Sequence, residues 1–347
     1  MAITKEEVLN ALRVVIDPDL KQDVVSLGFI KDLNIEGGRI SFILELTTPA
    51  CPLKEQLKAA AENAVKGING VSEVHVEVTS KVVSHRMEGK DEILPGVKNI
   101  IAIASGKGGV GKSTVCVGLA TALAATGARV GLLDTDIYGP SIPIMMGVKE
   151  QPEIKNEKLI PIEKYGIRLM SLGFLISEDT PLIWRGPMVM KAVEQLITDV
   201  AWGELDYLLM DLPPGTGDVQ LTLAQKVPLT GAVIVTTPQD VALLDVVRGI
   251  SMFQKLNVPI LGIVENMSYF LCPHCNEKTE IFSHGGGENA AKKWEVPFLG
   301  EIPLDLKTRV GGDVGIPSLI EDPDSPQSKI FIEIAEKLAA GISSLGR

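Results

Sequence analysis

The chain has 347 residues, of which 45% are hydrophobic, and its formal net charge is −11 with an isoelectric point near 5.0. This length and apolar content suffice for more than one globular domain, and the acidic balance argues against a nucleic-acid-binding surface. We find no signal-peptide pattern and no apolar run that could span a bilayer. Four cysteines are too few for a disulfide framework. We therefore expect a cytoplasmic protein with neither nucleic acid nor membrane as a partner.

Residues 1–80 have the pattern of a small α+β domain. Thr4 and Glu7 fit a capping box ahead of a helix with apolar residues at helical spacing. Two alternating segments, 30–35 and 40–46, flank a Gly-Gly turn and predict a hairpin. A second helix is expected after Cys51-Pro52, and a further strand over residues 74–78.

Three short runs in this domain, DPDL, SLGFI and TTPACP, resemble the domain of unknown function 59 family, whose members work in iron–sulfur cluster assembly. The family's cysteine falls on Cys51, which could equally be a small buried apolar residue. Residues 81–97 are charged and rich in turn formers, and they predict a linker that lets the two domains move.

A strand, a glycine-rich loop and a helix follow one another around residue 105. Apolar residues 100–104 predict a buried strand, and a helical pattern follows Lys112. The loop between them, with Ser113 and Thr114, fits the phosphate-binding pattern GxxxxGK[ST]. Its glycines allow the backbone N–H groups to surround an anion, and the helix N-terminus adds its positive dipole end. Lys112 is expected to reach the β- and γ-phosphates, and Ser113 to bind Mg²⁺.

Lys107 is a second lysine in this loop, which the phosphates of its own site do not require. It could be a solvated residue that tunes the local charge. The run KGGVGKS, however, resembles the deviant Walker A signature of the class formed by MinD, ParA and the nitrogenase iron protein. In that class the first lysine reaches the nucleotide of the partner subunit. The resemblance therefore implies a homodimer and a catalytic role for Lys107.

From residue 98 to 347 the chain alternates between predicted strands and helices, which is typical of a mostly parallel sheet flanked by helices. Together with the loop, this pattern indicates an α/β fold of the P-loop NTPase type, MinD-like within the SIMIBI class, preceded by the small α+β domain. The strands are expected at 129–134, 168–172, 206–211, 232–237, 260–265 and 297–299, and the helices at 188–200, 239–256 and 327–342.

Acidic residues end two of these strands, at the sheet edge where ligands bind. Asp134 and Asp136 could hold the Mg²⁺ shell and orient a water on the γ-phosphate, or they could cap a helix. Asp211 has the form of a Walker B aspartate. In the resembling class the second aspartate of the first pair positions the attacking water, which implies a catalytic role for Asp136. The run VENMS puts the class's adenine contact on Asn266, which could otherwise be an ordinary turn residue.

Cys272 and Cys275 form a CxxC turn, which directs two sulfurs to one side. From the residues alone, three interpretations remain open: half of a zinc knuckle completed by His274 or His284, a redox dithiol, and a structural turn without a ligand. A Cys₄ site needs four thiolates. A two-fold dimer would supply the second pair.

A CxxC turn that follows VENMSYF, in a chain with a deviant P-loop, resembles the Mrp/ApbC family of iron–sulfur cluster carriers. The resemblance covers nearly the whole chain. The resemblance implies an ATPase with Mg²⁺ that holds a [4Fe–4S] cluster on Cys272 and Cys275 of two protomers. Apo iron–sulfur proteins and cluster-assembly factors are the implied partners.

Two other functions share the nucleotide-binding pattern. One is a positioning ATPase of the MinD/ParA kind, against which the acidic balance and the absence of a basic amphipathic tail count. The other is an electron-transfer ATPase like the nitrogenase iron protein. In all three cases the catalytic residues are expected to be Lys107, Lys112 and Asp136. The residues expected at the nucleotide are Gly106, Lys107, Gly108, Gly109, Val110, Gly111, Lys112, Ser113, Thr114, Asp134, Asp211 and Asn266.

Overall fold

The structure, a computed structural model, describes residues 3–18, 20–86, 93–136, 139–175, 186–215, 217–275 and 277–345. The chain divides into two compact units: Met1–Val83 together with Ala339–Arg347, and Ser84–Leu338. Within the described ranges, no helix has the length and apolar character needed to cross a bilayer.

The first unit is built on a three-stranded sheet of order β3-β4-β5. β3 and β4 pair antiparallel, which confirms the predicted hairpin, and β5 pairs parallel with β4. The capping box is also confirmed, since the Thr4 hydroxyl accepts from the Glu7 N–H at 3.2 Å while the Glu7 carboxylate accepts from the Thr4 N–H at 2.8 Å. The elements are α1 (Lys5–Leu12), β1 (Ile16–Asp17), β2 (Gln22–Asp23), β3 (Ile30–Glu36), β4 (Arg39–Leu46), α2 (Lys54–Lys66) and β5 (Glu73–Ser80).

The predicted linker, residues 81–97, contains the point where the two units meet along the sequence. Its residues 87–92 lie outside the described ranges. On the near side of that gap, the Ser84 hydroxyl donates to the Lys98 carbonyl at 2.9 Å. On the far side, Val97 is already the first residue of a strand. Within the described part of the predicted linker, residues 81–83 therefore belong to the first unit, and residues 84–86 and 93–97 belong to the second.

The second unit contains a sheet of nine strands among the described residues. Parallel pairing joins β11, β7, β12, β6, β13, β14 and β16 in that order, with β10 and β15 antiparallel at the margins. Its strands are β6 (Val97–Ala104), β7 (Val130–Asp134), β10 (Ile162–Lys164), β11 (Ile167–Ser171), β12 (Leu205–Asp211), β13 (Gly231–Thr236), β14 (Ile260–Leu271), β15 (Lys278–Thr279) and β16 (Phe298–Leu304). Two further strands, β8 (Ile154–Lys155) and β9 (Lys158–Leu159), pair with each other in a separate antiparallel sheet.

Helices cover both faces of this sheet, so its central strands are apolar and buried along their whole length, as in β7, β12 and β13. This confirms the predicted fold class. The helices are α3 (Lys112–Ala125), α4 (Ile142–Met145), α5 (Gly186–Thr198), α6 (Asp218–Lys226), α7 (Asp240–Lys255), α8 (Gly286–Lys293), α9 (Leu306–Val314), α10 (Ser318–Glu321) and α11 (Pro326–Ser343), with a 3₁₀ helix at Leu172–Leu175.

β14 is longer than the sequence predicted, because it continues from the expected 260–265 to Leu271. Its pairing with β16 shifts register between Asn266 and Phe270, and Met267 has a φ of 54°. A bulge of this kind bends a strand without ending it. Asn266 is thus a residue within a bent strand, and the interpretation of it as an ordinary strand-end turn residue is wrong.

Candidate nucleotide site and cysteine pair

The P-loop connects β6 to α3 at the carboxyl edge of the sheet. Gly109 and Gly111 have φ values of 81° and 78°, a left-handed conformation that favours glycine. A Cβ added at Gly108 or Gly109 would meet no atom within 4 Å, so this side of the loop is open. At Gly111, by contrast, a Cβ would overlap the Asn266 side-chain amide. The loop therefore offers a bare backbone cradle of the kind that a phosphate group fills.

Lys112 and Ser113, the first residues of α3, both bond to Asp211 at the end of β12. Lys112 Nζ lies 2.6 Å from Asp211 Oδ1, and the Ser113 hydroxyl donates to Oδ2 at 2.5 Å. The Lys112 side chain is 6% exposed and the Asp211 side chain is fully buried. Burial raises the pKa of Asp211, and the Lys112 charge opposes that shift. A hydroxyl beside a carboxylate, next to an open phosphate cradle, is the donor set that Mg²⁺ prefers, so these residues fit Mg²⁺ with a nucleotide.

The two aspartates that follow β7 have different surroundings. Asp136 Oδ2 lies 3.8 Å from Lys112 Nζ. Asp134 is fully buried and accepts from the Asp136 N–H at 3.1 Å and from the Ser171 hydroxyl at 3.0 Å. Burial, and then the Asp211 charge, raise the pKa of Asp134 to about 8. Asp136 therefore faces the P-loop lysine, whereas Asp134 holds the turn in which Asp136 sits.

Lys107 points toward the loop that precedes α7. Its Nζ donates to Gln239 Oε1 at 3.2 Å, and the Ser105 hydroxyl donates to the Lys107 carbonyl at 3.0 Å. The Lys107 side chain is half-buried. In this arrangement its ammonium group does not bond to any carboxylate of the described residues around the P-loop.

Asn266 connects β14 directly to the P-loop. Its Nδ2 donates to the Val110 carbonyl at 2.9 Å, and the residue is 6% exposed. This bond uses one amide hydrogen and leaves the other hydrogen and the carbonyl oxygen available. The strand that ends at the cysteine pair is thus hydrogen-bonded to the phosphate-binding loop.

A cavity of about 570 Å³ lies over the P-loop. Nine of the expected site residues line it, whereas Gly106, Val110, Asp134 and Asp211 lie outside its lining. The nine are Lys107, Gly108, Gly109, Gly111, Lys112, Ser113, Thr114, Asp136 and Asn266.

The remaining wall of the cavity was not predicted. It is formed by α4, the end of β16, α9 and the start of α11. The apolar part includes Ile144, Ile302, Pro303 and Leu304. The run EIPLD directly after a predicted strand was the available signal, because chain that leaves a parallel strand at its carboxyl end borders the ligand site.

The cysteine pair occupies the tip of a hairpin formed by β14 and β15. Phe270 and Leu271 pair antiparallel with β15, and the Cys272 N–H donates to the Glu277 carbonyl at 3.0 Å. Cys272 is partly exposed and Cys275 is exposed, and both are free thiols. Backbone N–H groups of His274 and Cys275, followed by the Cys275 thiol, lower the pKa of Cys272. The pair therefore presents a thiolate-prone sulfur at an accessible position.

The other candidate ligands of a zinc knuckle do not join these cysteines within the described residues. His284 Nε2 lies 2.6 Å from Glu301 Oε2. The group formed by Glu265, His284 and Glu301 is the set of three close potential metal ligands in the described ranges, and it includes neither Cys272 nor Cys275. The structure therefore assembles no complete zinc knuckle around the pair in this part of the chain.

A polar cluster fixes the base of the hairpin. The Glu265 carboxylate accepts from the N–H groups of Gly285 at 3.2 Å and Gly287 at 2.5 Å, at the start of α8. The Ser268 hydroxyl lies 2.6 Å from Glu265 Oε1 and 2.8 Å from Glu301 Oε2. β14 is thereby tied to α8 and β16 by residues on either side of its P-loop contact.

The P-loop between β6 and α3, with its lysine and serine facing the Asp211 carboxylate, defines a P-loop nucleotide-binding protein. Residues 96–339 match the family model described as the NUBPL iron-transfer P-loop NTPase, and residues 5–78 match that of an iron–sulfur cluster assembly protein. The chain belongs to the NUBPL iron-transfer P-loop NTPase family. The resemblance to iron–sulfur cluster carriers stated from the sequence is confirmed.

Curated relatives share most of the chain's length. An iron–sulfur cluster carrier protein of Synechocystis sp. is 50% identical over 98% of this chain and 98% of its own. The iron–sulfur cluster transfer protein NUBPL of Dictyostelium discoideum is 57% identical over 71% of this chain and 77% of its own. The relatives thus include one that matches the whole length, first unit included.

Solved structures agree with the fold of the second unit. A nucleotide-binding protein of Archaeoglobus fulgidus in complex with ADP is 41% identical, with a TM-score of 0.61, over 70% of this chain and 95% of that one. The cell division ATPase MinD of Pyrococcus furiosus is 25% identical, with a TM-score of 0.52, over 69% and 97%. The fold expected from the deviant P-loop is therefore confirmed.

Proposed function

We propose that the chain is an ATP-dependent iron–sulfur cluster carrier that holds a labile [4Fe–4S] cluster across a homodimer and passes it to apo-proteins. The observation that carries this proposal lies on one strand. Asn266 of β14 bonds to the P-loop carbonyl of Val110, and Cys272 follows the end of the same strand. A change in the P-loop on nucleotide binding would therefore act on the strand that carries the cysteines.

The cluster is the cargo of this reaction, and it needs four thiolates. One chain offers Cys272 and Cys275 at an exposed tip, whereas Cys51 is largely buried and Cys116 is fully buried. A second copy related by a two-fold axis supplies the missing pair. Cluster binding and dimerisation are thus one event in this proposal.

The chain's own residues perform the nucleotide chemistry. Lys112 leaves Asp211 to bind the β- and γ-phosphates. The Ser113 hydroxyl and Asp211 would hold Mg²⁺, which would neutralise phosphate charge. Asp136 orients the attacking water. Lys107 leaves Gln239 and reaches the nucleotide of the partner subunit, where it stabilises the charge of the transition state. Asn266 contacts the adenine, and Asp134 keeps Asp136 in position.

Residues 1–80 and 98–347 act as two modules in this proposal, with cluster-assembly factors and apo iron–sulfur proteins as partners of the carrier. The match of residues 5–78 to a cluster assembly family supports this division. The cytoplasm is the proposed location, because accessible reduced thiols need a reducing compartment.

Anaerobic reconstitution with iron and sulfide tests the cluster site. The expected content is about two irons per chain, or four per dimer, with the Mössbauer spectrum of a [4Fe–4S] cluster. The double variant Cys272→Ala/Cys275→Ala should bind none, and Cys51→Ala should load normally as the matched control. Tightly bound zinc in place of iron would contradict the carrier and favour a MinD-type positioning ATPase.

A transfer assay to an apo-acceptor tests the coupling to ATP. Lys112→Ala should load a cluster normally but lose the nucleotide dependence of transfer, since the cysteines are intact. If cluster transfer by Lys112→Ala responds to ATP as it does in the wild type, the proposed coupling of transfer to ATP is wrong. A stable cluster that cycles between redox states without leaving would instead support an electron-transfer ATPase.

A further inference from the structure

Gln327 carries an unpaired amide in the wall of the nucleotide cavity. It lies in the first turn of α11 and is 7% exposed. Among the described residues, neither its Nε2 nor its Oε1 finds a hydrogen-bond partner. An unpaired buried amide is costly, because it loses its bonds to water and gains none. Both amide atoms are closed to solvent in the structure, so a rotation of the Gln327 side chain toward the cavity would let a bound ligand complete its bonds.

The packing of α11 against α3 places Gln327 beside the P-loop helix. Phe331, one turn after Gln327, packs so closely on Gly118 that a Cβ there would overlap its ring. Thr114, one turn before Gly118, lines the same cavity as Gln327. Gln327 therefore lies on a helix that packs on α3, and it lines the same cavity as the start of α3.

The other polar residues of this wall already bond to each other. Asp305 caps α9, since its carboxylate accepts from the Thr308 N–H at 2.7 Å and from its hydroxyl at 2.9 Å. The Arg309 guanidinium pairs with Asp313 at 2.9 Å. Gln327 is thus the buried polar side chain of this wall whose bonding capacity is unused in the described structure.

The position of the phosphates decides which part of the ligand comes near Gln327. In the proposed function Lys112, Ser113 and Asp136 hold the β- and γ-phosphates, so the nucleoside occupies the remainder of the cavity. There, Pro303 and Leu304 offer an apolar surface for a flat ring. A glutamine amide presents a donor beside an acceptor, which matches the amino group and adjacent ring nitrogen of adenine. Asn266 has already used one amide hydrogen on Val110.

We propose that the Gln327 amide hydrogen-bonds the adenine base and is a determinant of nucleotide affinity at this site. The inference rests on the proposed ATP-binding function and adds to it a second contact with the base, besides that of Asn266. A contact with the base also explains why a glutamine occupies this buried position at the start of α11, where a leucine of similar size would avoid the cost of burying an unpaired amide.

The test compares the wild type with Gln327→Leu by calorimetry, using ATP, inorganic tripolyphosphate and purine riboside triphosphate, which lacks the 6-amino group. We expect Gln327→Leu to bind ATP about tenfold more weakly and tripolyphosphate equally well. The affinity difference between the two proteins should shrink for purine riboside triphosphate. The ligand-free variant should melt at the same or a higher temperature than the wild type.

Gln220→Leu is the matched control, because Gln220 is a second buried glutamine with an unpaired Oε1 that lies outside the cavity lining. It should leave ATP affinity unchanged. Equal ATP affinity in the wild type and Gln327→Leu would overturn the inference, as would an equal loss for tripolyphosphate. An affinity difference that disappears with 2′-deoxy-ATP instead of the purine analogue would assign the contact to the ribose and also overturn it. A wild type that binds no ATP would refute the proposed function itself.

Discussion

Lys112 Nζ and Asp211 Oδ1 lie 2.6 Å apart in a pair that is almost completely withdrawn from solvent. The charge of the P-loop lysine is thus balanced by the aspartate at the end of β12. In the proposed function, a triphosphate that binds the lysine would separate this pair, and Mg²⁺ would compensate the charge of the aspartate. The P-loop and the end of β12 are therefore coupled, because Lys112 and Asp211 would exchange each other for the phosphates and the metal ion in the same event.

Asp211→Asn should make nucleotide affinity independent of Mg²⁺, because the carboxylate that completes the ion's site with Ser113 is gone. It should also lower the free energy of unfolding by about 3 kcal/mol, since Lys112 loses its buried counter-charge. Calorimetry with ADP, in Mg²⁺ and in EDTA, and urea unfolding measure the two effects. Asp136→Asn is the control and should keep Mg²⁺-dependent binding while hydrolysis is lost. A persistent Mg²⁺ effect in Asp211→Asn would contradict the assignment.

Lys107→Ala should slow ATP hydrolysis by a factor on the order of 10³ while nucleotide binding is nearly unchanged. The reason is that Lys107 bonds to Gln239 in its own chain and is proposed to act on the partner's nucleotide. Gln239→Ala, which removes only the hydrogen bond to Lys107 within the chain, should hydrolyse ATP at least as fast as the wild type. Steady-state phosphate release and ATP titrations measure both.

A mixing experiment separates action across the dimer from action within a chain. Lys107→Ala subunits retain Asp136, and Asp136→Asn subunits retain Lys107, so a mixed dimer contains one site with both residues. Mixing the two inactive variants should restore part of the hydrolysis. No restoration, with mixed dimers verified by mass spectrometry, would place the action of Lys107 in its own chain.

The sequence was sufficient to predict the P-loop region because its constraints are local. Gly109 and Gly111 require left-handed backbone, and the strand and helix on either side have unbroken apolar patterns. The central strands could be predicted equally well, since a strand that is buried on both faces consists mainly of apolar residues. Asp136 and Asp211 could be placed together because parallel strands end at a common edge.

The features that the sequence could not supply depend on contacts between distant segments. β15 has only two residues, Lys278–Thr279, and its pairing with β14 forms the hairpin that carries the cysteines. β16 continues to Leu304 through a proline, which reads as a strand end in isolation. Gln327 looks like an ordinary polar residue at a helix start. Its burial and unpaired amide result from the packing of α11 on α3.

Asp206→Asn should destabilise the second unit by about 2 kcal/mol near neutral pH and progressively less in acid. Burial alone would raise the pKa of Asp206, but hydrogen bonds from Arg129 and Lys98 outweigh it and lower the pKa from 3.8 to about 2. A carboxylate with a depressed pKa in the folded state stabilises the fold above its unfolded pKa. That contribution is lost as the pH falls from about 4 through about 2.

Urea unfolding at a series of pH values measures this effect. The stability difference between the wild type and Asp206→Asn should narrow steadily below about pH 4. Asp324→Asn, at an exposed position of the same unit, is the matched control and should show a small difference at every pH. A constant gap between the wild type and Asp206→Asn across the acid range would contradict the ionic origin.

Cys272 should be alkylated by iodoacetamide at a lower pH than Cys275 in the reduced, cluster-free protein. The N–H groups of His274 and Cys275 favour the Cys272 thiolate, which lowers its pKa and raises its reactivity at a given pH. Cys51 and Cys116 should stay unmodified in the folded chain, because both are buried and burial raises the pKa of Cys116 well above the ordinary value. Peptide mass spectrometry over a pH series gives the midpoint for each cysteine.

Cys275→Ala separates the two contributions to the reactivity of Cys272. Its backbone N–H remains and only the neighbouring thiol is lost, so the alkylation midpoint of Cys272 should rise slightly but stay below that of a free cysteine. A midpoint equal to that of an unstructured cysteine peptide would show that the turn does not hold the backbone amides toward the sulfur. The geometry that prepares the pair for a cluster would then have to arise only in the dimer.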